Sequence, residues 1–176
     1  MNILIVGSGA REHTFTWKIF NSKHDVNVFV TNANPGIAGI ASTVNLDNND
    51  FLSIKESIIQ HSISIVLIGP EIPLINGITD FIQNDINLQH VKVIGPSQKG
   101  SMLEGSKEFA KNFMFKYNIP TASYKSFDKS SFDQGVRFIK ENTPPYVLKA
   151  DGPAAGKGVI IVNDAHEAIK NLEDML

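Results

Sequence analysis

"NILIVGSGAREHTF", Asn2 to Phe15, sets the fold class. Its first half, Asn2 to Gly7, is a short unbroken apolar run closed by glycine. An amphipathic surface strand alternates polar and apolar residues. A continuous run marks a strand buried on both faces. The second half is polar, carries two more small residues and enters a helical pattern, with Phe15, Ile19 and Phe20 at roughly helical spacing. Strand, glycine loop, helix is the unit from which parallel sheets are built.

The same unit recurs downstream. Val26–Thr31 reads as a second strand, and "NANPGIAG" after it as turn chemistry. "DFLSIKESIIQHS" reads as a helix, with Asp50 as its cap and Leu52, Ile54, Ile58 and Ile59 as its apolar positions. Ile63–Pro70 is another buried strand. "PLINGITDFIQND" reads as one helix with Pro73 near its first turn, where a missing N–H costs nothing. Val91–Pro96 is one more strand. Such alternation implies a Rossmann-like parallel sheet with helices on both faces. Three of the strands run into glycine, at Gly7, Gly69 and Gly95. Ligands of open parallel sheets bind beyond the carboxyl ends of the strands, so these loops are the first place to search.

The pattern changes near Gly100, which is read as a boundary between residues 1–100 and 101–176. Glu104–Pro120 reads as a helix with Phe109, Phe113 and Tyr117 at four-residue steps. "ASYKSF" reads as a short strand, "SFDQGVRFIKEN" as a helix. "PYVLKADG" and "GVIIVND" then flank a glycine loop as two strands, and "AHEAIKNLEDML" is an amphipathic helix. Two strands around a glycine loop make a hairpin, not a strand–helix crossover. The second region is therefore α+β.

Composition narrows the function class. The chain has 176 residues, 42% of them apolar, a formal net charge of −2 and no cysteine. Disorder is disfavoured by the apolar content. A slightly acidic chain is not a general nucleic-acid binder, because phosphate backbones reward basic surfaces. Disulfides and thiolate metal sites are excluded. No run approaches the ~18–20 apolar residues of a membrane helix, and the N-terminus lacks the features of a signal peptide. The expectation is a cytoplasmic protein that engages neither membrane nor nucleic acid.

Which kind of glycine loop is "KADGPAAGKGV", Lys149–Val159? A Walker A loop needs Gly, four residues, then Gly-Lys-Ser/Thr, and it opens a helix. Here Gly152 to Gly156 is one residue short, Gly158 stands where the hydroxyl belongs, and a β-branched run follows. The reading that remains is a flap between antiparallel strands, able to lower N–H groups and a lysine over phosphates. A plain flexible turn is the bland alternative. Lys149 sits near the end of an apolar strand, where a lone charge needs an anionic partner. A structural salt bridge would serve as well as a nucleotide.

The loop after the first strand matches only the start of G-x-G-x-x-G. Glu12 occupies the third glycine position. The second strand ends in Thr31 and Asn32 rather than in the acid that holds the ribose of NAD. Both departures count against NAD. Backbone donors at the helix N-terminus can still take a phosphate, and Arg11 adds a forked, always-charged donor. Glu71, just past a strand end, can hold sugar hydroxyls or an amine, or simply complement the helix that follows it.

Seven segments, in order and spanning nearly the whole chain, resemble the glycinamide ribonucleotide synthetase family of the ATP-grasp superfamily. They are "GSGAREHT", "PGIAG", "GPEIPLINGI", "GPS" at Gly95–Ser97, "LEGSKEFAK" at Leu103–Lys111, "IPTASY" at Ile119–Tyr124 and "KADGPAAGKGV". Family members often read "GNGGREHA" and "KADGLAAGKGV", so Ser8, Ala10, Thr14 and Pro153 depart mildly.

The resemblance implies a Rossmann-like domain followed by the beginning of an ATP-grasp domain. It implies ATP-dependent ligation of glycine to 5-phosphoribosylamine through a glycyl phosphate, giving glycinamide ribonucleotide, ADP and phosphate. This is the second step of de novo purine synthesis. By the same resemblance, Gly7, Gly9, Ala10, Arg11, Glu12, Pro35, Gly36, Gly69, Pro70 and Glu71 line the phosphoribosylamine site. Lys107, Lys149, Asp151, Gly152, Ala154, Ala155, Gly156, Lys157 and Gly158 meet ATP. Family members are longer. Mg²⁺ (or Mn²⁺) ligands are therefore expected beyond Leu176, and this portion alone is expected to be inactive. A monomer is implied for the complete enzyme. Two rival readings are another ATP-grasp ligase and a non-catalytic nucleotide-binding module.

Overall fold

The computed structural model describes residues 1–154 and 156–176. The chain divides into two compact units, Met1–Met102 and Leu103–Leu176.

In the first unit the elements run β1 (Asn2–Val6), α1 (Ala10–Phe20), β2 (Asn27–Thr31), α2 (Pro35–Ala38), β3 (Ser42–Val44), α3 (Phe51–Gln60), β4 (Ile65–Ile68), α4 (Glu71–Ile75), α5 (Ile78–Asn84) and β5 (Lys92–Ile94). The five strands are parallel, in the order β3-β2-β1-β4-β5. The chain builds outward from β1 to β3, then returns to lay β4 on the other side of β1. The resulting switch point lies between β1 and β4, where a crevice opens beyond the strand ends.

Alternation along β1 divides the core in two. Leu4 and Val6 join Val66 and Ile68 of β4 under Ile54 and Ile58 of α3 and Ile78 and Ile82 of α5. Ile3 and Ile5 join Val28, Val30 and Ile37 on the opposite face, with Ile19 of α1 packed against them. Each such fully buried aliphatic side chain is worth about 1.5–3 kcal/mol, so the continuous apolar run is the main source of stability for this sheet. Asp50 caps α3 as expected, accepting hydrogen bonds from the Ser53 amide and hydroxyl. Those bonds hold its carboxyl below the ordinary value.

The structure adds to and corrects the local reading of this unit. "NANPGIAG" contains a helical turn, α2, because Asn34 Oδ1 accepts from the Ile37 amide at 3.0 Å and Pro35 occupies the first turn. Ser42–Val44 forms an edge strand that no apolar run announces. "PLINGITDFIQND" is two helices. Gly77, at φ +94°, breaks it with a left-handed residue that caps α5. Alanine at position 77 should therefore cost about 1 kcal/mol, read as a lower urea midpoint with an unchanged slope. On α1 the buried face is Glu12 and Thr16, while Phe15 and Phe20 are exposed.

α6 (Gln98–Gly105) runs across the division between the units. In the second unit, α7 (Lys107–Lys116), α8 (Phe132–Glu141), β6 (Tyr146–Lys149), β7 (Val159–Val162) and α9 (Ala165–Met175) follow. β6 and β7 form the expected antiparallel hairpin. Its inner face, Tyr146, Leu148, Ile160 and Val162, packs with Ile139 of α8 and Ala168 and Leu172 of α9. The expected long helix from Glu104 is instead two, because Ser106 accepts from the Phe109 amide and starts α7 afresh. "ASYKSF" is not a strand. Lys111 Nζ donates to Thr121 Oγ1 and to the Ala122 carbonyl, and the Tyr124 hydroxyl donates to Asn112, so side chains of α7 hold it.

Candidate functional site

Three loops meet at the carboxyl ends of β1, β2 and β4. Gly7 leaves β1 at φ +109°, a conformation that suits glycine. Its amide donates to Thr31 Oγ1 at 2.7 Å. Thr31 is fully buried. It stands at the end of β2, near where a dinucleotide fold carries its acid, and is used to pin the first loop. Asn34 ties the next pair of loops: its amide group donates to the Ser8 carbonyl at 2.8 Å while its oxygen caps α2. The sequence reading takes Thr31 only as a missing acid and gives Asn34 no role. A hydroxyl or amide side chain directly after a strand, facing a glycine loop, is the signal that finds them.

Glu12 is turned inward and only 4% exposed. Its Oε2 accepts the Gly9 amide at 2.6 Å, the carboxylate half of a capping box, which glycine has no side chain to complete. Its Oε1 is buried without a hydrogen-bond partner. A Cβ built on Gly69 would lie 2.5 Å from Glu12 Cδ, and one on Gly7 3.0 Å from its Cγ. These glycines leave the slot that the carboxylate fills. Gly9, Ala10, Arg11, Pro35 and Gly36 are exposed around it, and Gly69, Pro70 and Glu71 are half-buried. Arg11 and Glu71 form an ion pair at 3.7 Å. The His13 ring lies against Gly36, where a Cβ would come within 3.1 Å of both ring nitrogens. The ten residues expected to share a site in the first unit thus fall around one crevice. Gly95, the third strand-end glycine, instead packs against Leu74.

The second unit gathers the other group. Asp151 accepts from the Lys107 amide at 2.6 Å, the Glu108 amide at 3.2 Å and the Ser106 hydroxyl at 2.9 Å. Partial burial pushes its carboxyl up, but the bonds from Ser106, Glu108, Lys107 and Gly152 outweigh this and hold it below 3.8. Lys107 Nζ donates to the Gly152 carbonyl at 2.8 Å. The glycine loop is thereby stitched to the start of α7. Beyond the stitch, Gly152 (φ +82°) and Gly156 (φ +79°) have nothing within 4 Å of a built Cβ. The Lys157 amide donates to the Ala154 carbonyl and the Ala150 amide to the Gly158 carbonyl. Ala155 lies outside the described residues.

Lys149 is exposed, so burial does not oblige it to find an anion. It shares the outer face of the hairpin with Val147, Val159 and Ile161, which are 48%, 44% and 66% exposed. Three uncovered aliphatics beside an ammonium form a surface for an apolar ring joined to an anion. Alternation through "YVLK" and "VIIV" carries this signal.

Among the described residues, no helix is long and apolar enough to cross a membrane, and no three His, Cys, Asp or Glu residues are grouped to hold a metal ion.

Comparison with known proteins follows the same division. Residues 1–104 match Phosphoribosylglycinamide synthetase, N domain, and residues 105–176 match Phosphoribosylglycinamide synthetase, ATP-grasp (A) domain. The phosphoribosylamine–glycine ligase of Caldanaerobacter subterraneus subsp. tengcongensis is 41% identical over the whole chain, which covers 41% of that protein. The ligase of the same name from Neisseria meningitidis serogroup B is 40% identical over the whole chain, covering 40% of it. The crystal structure of the Thermotoga maritima phosphoribosylamine–glycine ligase superposes with a TM-score of 0.70 at 28% identity, over 97% of this chain and 38% of that one. An N5-carboxyaminoimidazole synthase from Aspergillus clavatus shares the fold, with a TM-score of 0.72 at 16% identity over 99% of this chain and 43% of that one. The chain thus spans about two-fifths of the length of the curated relatives it matches.

Proposed function

Because the chain belongs to the phosphoribosylglycinamide synthetase family, we propose that it carries the sugar-binding domain and the opening part of the ATP-grasp domain of a phosphoribosylamine–glycine ligase. The reaction proposed is ATP, glycine and 5-phosphoribosylamine going to glycinamide ribonucleotide, ADP and phosphate, in a cytoplasmic, monomeric enzyme. The observation that carries the reading is the Arg11–Glu71 ion pair, which joins the loop after β1 to the loop after β4 at the switch point of the sheet. A carboxylate and a guanidinium 3.7 Å apart give a polyhydroxyl amine both an acceptor and a donor.

The outer face of the hairpin fits ATP. Val147, Val159 and Ile161 offer the base an apolar platform, Lys149 neutralises phosphate charge, and Gly152 and Gly156 give the loop room to close. Lys107 exchanges the Gly152 carbonyl for a phosphate oxygen. When bound, ATP supplies the phosphoryl group that activates the glycine carboxylate. This chemistry needs no nucleophile from the protein. Its residues position the amine and neutralise charge, which suffices for attack on an activated carboxyl. No step is assigned to Mg²⁺ or Mn²⁺, because the described residues offer no cluster that fits one.

The test is titration of the ¹⁵N-labelled chain with glycinamide ribonucleotide, NAD and ATP. Glycinamide ribonucleotide should shift the amides of Gly9, Arg11, Gly36 and Glu71 saturably, and NAD should not. ATP should shift Gly152, Gly156 and Gly158, and Lys149→Ala should weaken that binding about tenfold. Shifts with NAD at Gly9 and Arg11 would favour a nucleotide-binding module instead.

A further inference from the structure

We infer that Glu12 closes the α1 N-terminus to phosphate, so that the crevice of the first unit takes the amine- and hydroxyl-bearing end of its ligand and the phosphate end points away. This rests on the phosphoribosylamine reading and adds a polarity to it.

A glycine loop leading into a helix is ordinarily an anion site, because free N–H groups and the positive end of the helix dipole point outward. Here one donor at that end, the Gly9 amide, is already taken. Glu12 sits in the first turn of α1 at 4% exposure, its Oε2 takes the Gly9 amide, and its Oε1 is buried without a partner. An acceptor oxygen of the chain itself thus lies against a helix end worth about half a positive charge. The fit is specific: any side chain at Gly7 or Gly69 would displace the carboxylate.

The groups around it do not reverse the balance. Arg11 is the cation of the crevice, and Glu71 Oε2 lies 3.7 Å from its guanidinium. One cation therefore stands against two carboxylates. His13 turns its ring against Gly36. The Asn34 amide group is spent on the Ser8 carbonyl, the Gly7 amide is spent on Thr31 Oγ1, and Thr31 is itself fully buried. A phosphate dianion would meet net negative charge at this point, whereas an amine or a hydroxyl meets an acceptor. The expectation of a phosphate at this helix terminus, drawn from the glycine pattern alone, is replaced by this assignment.

The experiment compares inorganic phosphate with glycinamide ribonucleotide on the ¹⁵N-labelled chain at constant ionic strength. Glycinamide ribonucleotide should shift Gly9, Arg11 and Glu71 saturably, and inorganic phosphate should leave them unmoved. Glu12→Gln, close in shape but uncharged, should bind phosphate at Gly9 and Ala10 about tenfold more tightly than the parent. If that variant does not fold, Glu71→Gln, on the rim, removes one of the two carboxylates and should raise phosphate affinity in the same direction. Saturable phosphate shifts at Gly9 and Arg11 of the parent would overturn the inference while leaving the ligase reading intact. A folded Glu12→Gln that still ignores phosphate would overturn it too. Failure of glycinamide ribonucleotide to shift any amide of the first unit would overturn the ligase reading itself.

Discussion

Gly69→Ala should destabilise the first unit by about 3 kcal/mol, the upper end of what overpacking a tight interior costs. The new Cβ would lie 2.5 Å from Cδ and 2.7 Å from Cγ of Glu12, and closer still to Oε1. Retreat is blocked. Oε2 is tied to the Gly9 amide, and Gly7 is close on the other side. Position 69 cannot move either, because its amide donates to the Val6 carbonyl at the end of the β1–β4 ladder. Trp17, the only tryptophan, lies on α1 and reports this unit alone. Its fluorescence through a urea titration should show a lower midpoint with the slope unchanged. Gly39→Ala is the control. The nearest atom to its Cβ is the Gly36 carbonyl oxygen at 3.8 Å, and a surface change of this kind stays within about 0.5 kcal/mol. Equal losses at the two positions would show that Glu12 yields and that the slot is soft.

Asp151→Ala should cost the second unit about 2 kcal/mol and free the root of the glycine loop. Loss of a helix cap costs about 0.5–2 kcal/mol, and this carboxylate serves two amides and a hydroxyl at the start of α7. Hydrogen exchange at Lys107 and Glu108 should accelerate about tenfold or more, the equivalent of at least 1.4 kcal/mol. Exchange within α9 should change less, since α9 packs on the far strand face. Acid should mimic the variant. The folded-state pKa of Asp151 is depressed below 3.8. Its contribution is complete above that value and is lost as pH falls from there through the folded pKa. Unchanged exchange at Lys107 and Glu108 in the variant would mean that Ser106 caps α7 unaided.

The sheet was legible because its strands are coded redundantly. "NILIV" and "IVLI" have no polar position to hide, and Asp50 announces α3 by the plainest capping chemistry. The hairpin was legible because a β-branched run follows Gly158 where a Walker loop would begin a helix. Features set by one residue against a distant one were not legible. Ser42–Val44 is a strand only because β2 offers an edge. Residues 122–127 lie flat because Lys111 and Asn112 reach them first. In the sequence reading Glu12 is the residue that breaks a dinucleotide motif at its third glycine and a part of the sugar site. Its spacing, three residues after Gly9, lets a first-turn carboxylate reach back to that amide, yet its burial depends on Gly69, which is 57 positions away in the chain.

The placement of β1 in the middle of its sheet also governs how the chain must be made. Ile3 pairs with Val28 on one side and with Ile65 on the other. A ribosome adding about 5–20 residues per second needs about 3–12 s to travel from the first of these residues to the last. The same interval separates the emergence of the two residues from the tunnel, and over it "NILIV" has one flank unpaired and its aliphatic side chains in water. The nascent chain is therefore at its most adhesive before residue 65 emerges. Slow codons would be tolerated after β4 and harmful before it.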